Sequence, residues 1–200
     1  MKHTALRACA AAALFVLLTA AVYYLLPLKL RPFWLLAASL FFYIYADIRY
    51  LLFLLASILS CYAGARAIQG RTGREKLVLL LVLLFNLGLL ACVKFLPYSL
   101  NLLGLVLGRE LPQPRLLVPL GISFYTLQAL SYLIDVYRGE IRCERRLWSF
   151  ALYMSFFPII MQGPICRYSQ LSPQLSSPHR LDYRQLKFGA QLMLWGFFKK

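Results

Sequence analysis

The sequence predicts an all-α fold, a multi-pass bundle of transmembrane helices in which some helices are broken or re-entrant. Of the 200 residues, 61% are hydrophobic and only 14% are charged. The apolar residues form runs long enough to cross a bilayer, and the basic residues gather in short clusters between those runs, as in membrane-flanking loops. A soluble domain cannot cover this much apolar surface, so the lipid bilayer is the first predicted partner.

The charge balance is strongly basic, with 22 Lys and Arg against 7 Asp and Glu. No DNA- or RNA-binding motif accompanies the charge, which excludes nucleic acid as a predicted partner. The cysteines show no metal-ligand spacing and are interpreted as small packing residues; they are Cys9, Cys61, Cys92, Cys143 and Cys166.

The first apolar run, Ala8–Leu28, rises about 31 Å as a helix. It continues past the length of a signal-peptide core and leads into further apolar segments, so we interpret it as a retained helix. Lys94 is predicted to stop the run 77–93, which then resumes through Pro97 to Gly108 as a kinked extension or an interfacial helix. The other predicted helical runs are 33–46, 50–65, 116–136, 147–161 and 188–198.

Orientation follows from the positive-inside bias. It places the basic loops 66–76 and 137–146 in the cytoplasm and residues 47–49 and 109–115 outside, for a chain in the inner (cytoplasmic) membrane. Residues 1–200 are interpreted as the N-terminal portion of one multi-pass membrane domain.

Polar side chains inside apolar runs mark interior faces or sites, because lipid offers them no partners. Gln128 and Asp135 lie seven residues apart, and Tyr125 precedes Tyr132 by the same spacing. In a helix this stripe lines one side and is a candidate cavity wall. The alternative is structural: Gln128 bonds a neighbouring helix, and Asp135 pairs with Arg138 at the membrane edge.

A second group surrounds the predicted helix break at Gly163 and Pro164. Gly-Pro frees backbone groups at membrane depth, which is tolerated only inside protein or beside a polar cavity. Gln162 and Arg167 flank the break and are further cavity-lining candidates, Arg167 as a cation for an anionic or carbonyl group. The alternative is a loop whose arginine contacts lipid headgroups.

Soluble-enzyme chemistry is not indicated. His3 and His179 have no metal-ligating neighbours, so no metal site is predicted. Ser123 follows Gly121 but lacks the second glycine of a nucleophile elbow, and we interpret it as a helix-packing residue. No catalytic residue and no bound cofactor are predicted within the chain.

Several segments resemble the bacterial membrane-bound O-acyltransferases, closest to the alginate O-acetyltransferase branch. The segment VPLGISFYTLQALSYLIDVYRG (118–139) carries most of the resemblance. FALYMSFFP (150–158) and QGPICRYSQL (162–171) follow in the family's order, and 35–43 and 188–200 also fit. Many relatives have Ala at the position of Gln162, which puts a family-wide role for that residue in doubt.

The resemblance implies a many-helix bundle with a tunnel, in which a histidine general base activates an acceptor hydroxyl for acyl transfer. The implied donor is acetyl-CoA or a carrier-bound acyl group, and the implied acceptor is an exported or cell-surface polysaccharide such as alginate. Partner acyltransferase subunits are also implied. The family's histidine is expected beyond residue 200, so these residues alone are expected to be inactive.

Two other functions remain open on the residues: a membrane transporter or channel built from the broken helices, and a non-catalytic membrane scaffold for a partner enzyme. A reading frame that continues past codon 200 into an apolar segment with a histidine would favour the enzyme.

Overall fold

The computed structural model describes residues 2–70, 73–107, 121–160, 166–177 and 182–199. Within these ranges the secondary structure is helical, without a strand. The helices are α1 (Lys2–Leu25), α2 (Arg31–Ala46), α3 (Ile48–Gln69), α4 (Glu75–Leu107), α5 (Ile122–Arg138), α6 (Leu147–Ser155), α7 (Phe157–Ile160), α8 (Tyr168–Ser176) and α9 (Tyr183–Phe198). The predicted all-α fold is confirmed.

Two described segments are long and apolar enough to cross a membrane: α3, and Glu75–Phe95 of α4. Since α3 has 22 residues, it rises about 33 Å, enough for the hydrocarbon core. In α4, Leu80, Leu81 and Leu84 are 53%, 57% and 57% exposed. Such an apolar surface requires lipid around it, so the fold is a membrane helical bundle.

The chain divides into two compact units: Pro32–Ser176, and Met1–Arg31 together with Ser177–Lys200. In the larger unit α3 packs against α4 and α5, while α6 packs against α3, α5 and α8. Its core is built from buried apolar side chains that include Leu54, Ile58, Tyr125, Tyr132, Leu133, Phe150 and Met154. The expectation of one continuous domain stays a prediction.

In the smaller unit, Arg31 closes the C-terminal end of α1. Its guanidinium donates to the carbonyl oxygens of Leu26 at 3.1 Å and Tyr24 at 3.3 Å. It also lies 5.1 Å from the centre of the Tyr23 ring. A cation at a helix C-terminus satisfies carbonyls that have no partner within the helix.

A polar clamp joins α3 and α4 inside the membrane-crossing region. Ser57 donates to Asn86 Oδ1 at 2.6 Å. Asn86 Nδ2 donates to Ser60 Oγ at 3.1 Å, to Cys61 Sγ at 3.5 Å and to its own helix at the Val82 carbonyl, 2.9 Å away. Asn86 is 2% exposed, so its whole amide is satisfied by protein, as burial in lipid requires.

The same two helices approach closely at Gly64. A Cβ atom at this position would lie 2.7 Å from Val82 Cγ2. Small residues allow this kind of contact between membrane helices, where packing replaces the hydrophobic effect.

Helix α4 differs from its predicted limits. It runs without interruption through Lys94 and Pro97 to Leu107. The predicted stop at Lys94 is therefore wrong, and the run past Pro97 extends the same helix, in keeping with the first of its two predicted forms. The Lys94 ammonium is exposed and donates to Ser123 Oγ of α5 at 3.4 Å. A lysine that reaches a polar partner need not end a helix, and proline is tolerated within membrane helices.

Candidate functional site

Helix α5 carries the polar stripe that the sequence singled out, and both of its ends are fixed by glycine. Gly121 and Gly139 have φ values of 72° and 78°, in the left-handed region that other residues avoid. The Glu140 amide donates to the Asp135 carbonyl at 3.0 Å, which closes the C-terminus. The buried face between these ends contains Ile122, Tyr125, Thr126, Gln128, Ala129, Tyr132, Leu133, Asp135 and Val136. The predicted stripe therefore does share one buried side.

Gln128 makes the structural contact that was its alternative interpretation. Its Nε2 donates to the carbonyl oxygen of Tyr153 on α6 at 3.1 Å. Because Gln128 is 3% exposed, this bond satisfies an amide that has no solvent partner. Its role as a cavity-lining residue stays a prediction.

Asp135 does not pair with Arg138 as the alternative interpretation proposed. Arg138 instead lies 3.8 Å from Glu140, and both of these side chains are well exposed. The reason is the turn at Gly139, which reverses the chain and brings Glu140 back beside Arg138. Asp135 is 7% exposed, and its carboxylate makes no ion pair with any residue that the structure describes.

Four aromatic rings from α5, α6 and α8 form the centre of the site. The Tyr132 ring centre lies 4.6 Å from that of Phe150 and 4.9 Å from that of Tyr168. Tyr153 meets Tyr168 edge to face at 5.0 Å. These separations are those of favourable aromatic pairs, so this aromatic cluster holds the three helices together.

Glu144 is the hydrogen-bonding centre beside this cluster. Its carboxylate accepts from Tyr168 Oη at 2.5 Å, from the Arg146 amide at 2.9 Å and from Ser149 Oγ at 3.3 Å. Its own amide donates to Tyr132 Oη at 2.9 Å. The loop between α5 and α6 is thereby attached to α5, α6 and α8 at once.

The environment of Glu144 lowers the pKa of its carboxyl group. Partial burial acts to raise that pKa, but the hydrogen bonds from Tyr168, from backbone amides and from Ser149 favour the charged form and outweigh it. Burial raises the pKa of the neighbouring Cys143 thiol, against the opposing charges of Arg66 and Arg145. Glu144 is therefore a structural anion at neutral pH, and Cys143 is a neutral thiol.

Three buried hydroxyls have no hydrogen-bond partner among the residues that the structure describes: Tyr43 Oη, Tyr125 Oη and Ser155 Oγ. Tyr43 and Tyr125 are 1% and 0% exposed. An unsatisfied buried hydroxyl costs about 1–3 kcal/mol, so each of the three is a candidate contact for a polar group. The role of Tyr125 in lining a cavity stays a prediction.

Two of these residues, Ser155 and Tyr43, lie near a break between α6 and α7 at Phe156, whose ψ of 102° is not helical. Ser155 immediately precedes the break. The Phe157 amide after it donates to Ser39 Oγ at 3.4 Å, and Ser39 lies one turn before Tyr43 on α2. The described break thus lies before the predicted one at Gly163 and Pro164, which falls, with Gln162, outside the described residues.

Arg167 lies at the other side of those residues, immediately before α8. Its side chain is exposed, and its carbonyl accepts from the Gln170 and Leu171 amides at 3.1 Å each. The neighbouring Cys166 carbonyl accepts from Tyr153 Oη at 3.0 Å. The backbone is therefore tied to the aromatic cluster, while the Arg167 side chain is not brought to the Tyr125 hydroxyl.

Sequence reasoning missed Asn86, Glu144 and the hydroxyls of Tyr43 and Ser155. Asn86 carried a signal, since it is the one amide side chain within the apolar run 77–93. Glu144 carried none, because it lies among charged loop residues that resemble any solvated loop. Among the described residues, no group of three His, Cys, Asp or Glu side chains could hold a metal ion.

The chain is similar to several curated bacterial O-acetyltransferases. It is 33% identical over 195 residues to the probable alginate O-acetylase AlgI of Azotobacter vinelandii, which covers 94% of this chain and 39% of the relative. The Pseudomonas aeruginosa protein of the same name is 31% identical, over 94% of this chain and 37% of the relative. The peptidoglycan O-acetyltransferase of Helicobacter pylori is 30% identical, over 84% of this chain and 37% of the relative.

The chain thus spans about two fifths of the length of these relatives. No protein-family model and no solved structure matches it.

Proposed function

We propose that this chain, which belongs to the membrane-bound O-acyltransferase family with the alginate O-acetylases, forms one wall of an enzyme that acetylates hydroxyl groups of a polysaccharide. The observation that carries the proposal is the similarity over most of the chain to relatives named for O-acetylation of two different polymers. Both polymers present sugar hydroxyls, so the shared chemistry is transfer of an acetyl group to a hydroxyl oxygen.

The proposed enzyme is a multi-pass protein of the inner membrane. Its donor is acetyl-CoA or a carrier-bound acyl group, its acceptor is an exported or cell-surface polysaccharide, and partner acyltransferase subunits assist it. In the proposed reaction a histidine general base removes the acceptor proton as the hydroxyl oxygen attacks the acyl carbonyl carbon. The bond from that carbon to the donor then breaks, and the donor group leaves with the proton held by the histidine. No residue of this chain is given that role.

The described residues contribute a preformed polar wall. The free hydroxyls of Tyr43, Tyr125 and Ser155 would donate to, or accept from, a sugar hydroxyl or an acyl carbonyl that enters beside the break at Phe156. The aromatic cluster and Glu144 keep α5, α6 and α8 in place around that wall. A fixed wall lets binding energy orient the reacting groups.

The test uses the entire reading frame that contains these residues, expressed in a strain that lacks its alginate O-acetylase. Ester-linked acetate on the exported polymer is measured after mild alkaline hydrolysis. Restored acetylation is expected. Polymer without acetate, when the protein is present in the membrane, would refute the proposal, and solute flux without acetyl transfer would favour a transporter.

Tyr125→Phe tests the wall itself. Loss of one buried hydrogen bond to a reactant is worth about 1–1.5 kcal/mol, or roughly tenfold in rate. Tyr45→Phe is the matched control because Tyr45 is 84% exposed on α2. Equal activity of the two variants would remove Tyr125 from the proposed wall and leave the acetylation proposal standing.

A further inference from the structure

Two basic loops, 66–76 and 137–146, lie at the same end of the larger unit. The Cys143 thiol donates to Gln69 Oε1. Tyr62 Oη, on α3, donates to the Arg145 carbonyl at 2.7 Å. These bonds join the C-terminal end of α3 to the loop that follows α5, as a shared membrane side for the two loops requires.

A pocket of about 570 Å³ lies between these loops. Its apolar lining includes Ile68 and Val136, which are buried, while Gln69 and Arg142 of its lining are exposed. The pocket therefore has an apolar inner part and a polar outer part.

The charges around the pocket are unbalanced. The described residues of the two loops include seven Lys and Arg against three Glu. Glu140 is paired with Arg138, and the Glu144 carboxylate accepts three hydrogen bonds. Arg142, in the pocket lining, makes no ion pair with any described residue. An anion entering this pocket therefore meets the Arg142 guanidinium. The lining also holds the Glu75 carboxylate, which the surplus of Lys and Arg in the two loops outweighs.

The pocket also lies at headgroup depth. Helix α3 begins at Ile48 and ends at Gln69, and its length of about 33 Å spans the hydrocarbon core. Gln69 lines the pocket, so the pocket is at the membrane boundary, where lipid phosphates are found. Clusters of Lys and Arg beside a membrane helix favour anionic lipids by about 1 kcal/mol per residue.

We propose that the pocket between loops 66–76 and 137–146 binds the phosphate headgroup of an anionic phospholipid, with Arg142 as its principal cation. The exposed guanidinium contacts the phosphate, Gln69 donates to the headgroup, and Ile68 and Val136 contact the glycerol and the first methylenes. The inference is independent of the acyl-transfer proposal, since it concerns the opposite end of α5 from Tyr125.

The test is a titration of the purified full-length protein with phosphatidylglycerol and, separately, phosphatidylethanolamine of the same chains, followed by native mass spectrometry. Phosphatidylglycerol is expected to bind more tightly. Arg142→Gln should weaken its binding about fivefold, the loss of one cation. Arg49→Gln is the matched control, because Arg49 is an exposed arginine at the other end of α3, and it should leave binding unchanged.

Glu75→Gln is a second variant, and it should change the affinity for phosphatidylglycerol in the opposite direction to Arg142→Gln. Glu75 lines the pocket and accepts from the Gly73 amide at 3.0 Å, a bond that the glutamine carbonyl can keep. Removing its negative charge should tighten phosphatidylglycerol binding, which a misfolded variant would not do. Equal binding of the two lipids, or no gain in Glu75→Gln, would overturn the proposal. Displacement of the lipid by submillimolar glycerol phosphate would also overturn it in favour of a soluble phosphate compound.

Discussion

Replacing Asn86 with leucine removes the polar clamp between α3 and α4 while roughly keeping the volume of the side chain. Three hydrogen bonds between the helices are lost, to Ser57, Ser60 and Cys61. The bond to the Val82 carbonyl is also lost, but it lies within α4 and does not hold the two helices together.

The expected cost follows from the measured worth of such bonds. Hydrogen bonds between membrane helices average about 0.6 kcal/mol each, so three of them give a loss of about 2 kcal/mol in the free energy of unfolding. Burying leucine in place of the amide gains little in return, because lipid is already apolar. The Ser57–Asn86 pair, at 2.6 Å, should show a coupling energy near the upper end, about 1.7 kcal/mol.

The assay is reversible unfolding in mixed micelles, followed by tryptophan fluorescence, for Asn86→Leu, Ser57→Ala and the double variant. Leu84→Ala is the control on the same helix, since Leu84 is 57% exposed to lipid and should change the unfolding free energy little. A variant Asn86→Leu as stable as the parent, with no coupling to Ser57, would refute the clamp.

Three further outcomes are expected. Gly64→Ala should lower the free energy of unfolding by about 1–3 kcal/mol, because the new Cβ atom would lie 2.7 Å from Val82 Cγ2. Gly88→Ala is the control and should change it little, because a Cβ atom there meets nothing within 4 Å. Equal shifts of the melting temperature in the two variants would contradict the close approach at Gly64. The pKa of Glu144 is lowered in the folded state, so its carboxylate stabilises the fold at pH values above its ordinary pKa of 4.5. That stabilisation is lost as the pH falls through the pKa of the folded state. The unfolding midpoints at pH 7 and pH 3 should therefore differ less in Glu144→Gln than in the parent. Tyr132→Phe loses the bond from the Glu144 amide and should lower the free energy of unfolding by about 1 kcal/mol. Tyr125→Phe should not, because the Tyr125 hydroxyl has no partner among the described residues. A larger loss in Tyr125→Phe, measured by chemical denaturation, would show that this hydroxyl does have a partner.

Much of the fold followed from run length, since apolar runs bounded by charge have few alternatives to membrane helices. The run 50–65 became α3, extended at both ends because Asp47 caps the helix by accepting from the Arg49 amide and Gly70 follows its last turn. The limit of α4 was wrong because Lys94 finds Ser123 on another helix, a partner that a single segment cannot reveal.

The sequence predicted which side of α5 carries the polar residues but not the contacts that each of them makes. Helical spacing correctly placed Tyr125, Gln128, Tyr132 and Asp135 on one side of α5, since that depends only on periodicity. Which of them is satisfied depends on the neighbouring helices: Gln128 donates to the Tyr153 carbonyl of α6, whereas the Tyr125 hydroxyl has no partner among the described residues. Glu144 could not be found, because its role arises from Tyr168, which lies 24 residues further along the chain.

The bond from the Phe157 amide to Ser39 joins residues 118 positions apart. During synthesis α2 therefore leaves the ribosome long before α6 and α7 exist, and the Ser39 hydroxyl can already donate to the Leu35 carbonyl of its own helix. When the later segment is added, the Phe157 amide that the break leaves without a helical partner finds its acceptor, Ser39 Oγ, already in place. The break between α6 and α7 therefore depends on a contact with α2 and is not a property of the local sequence alone. The order of synthesis determines when these two helices can adopt their final arrangement.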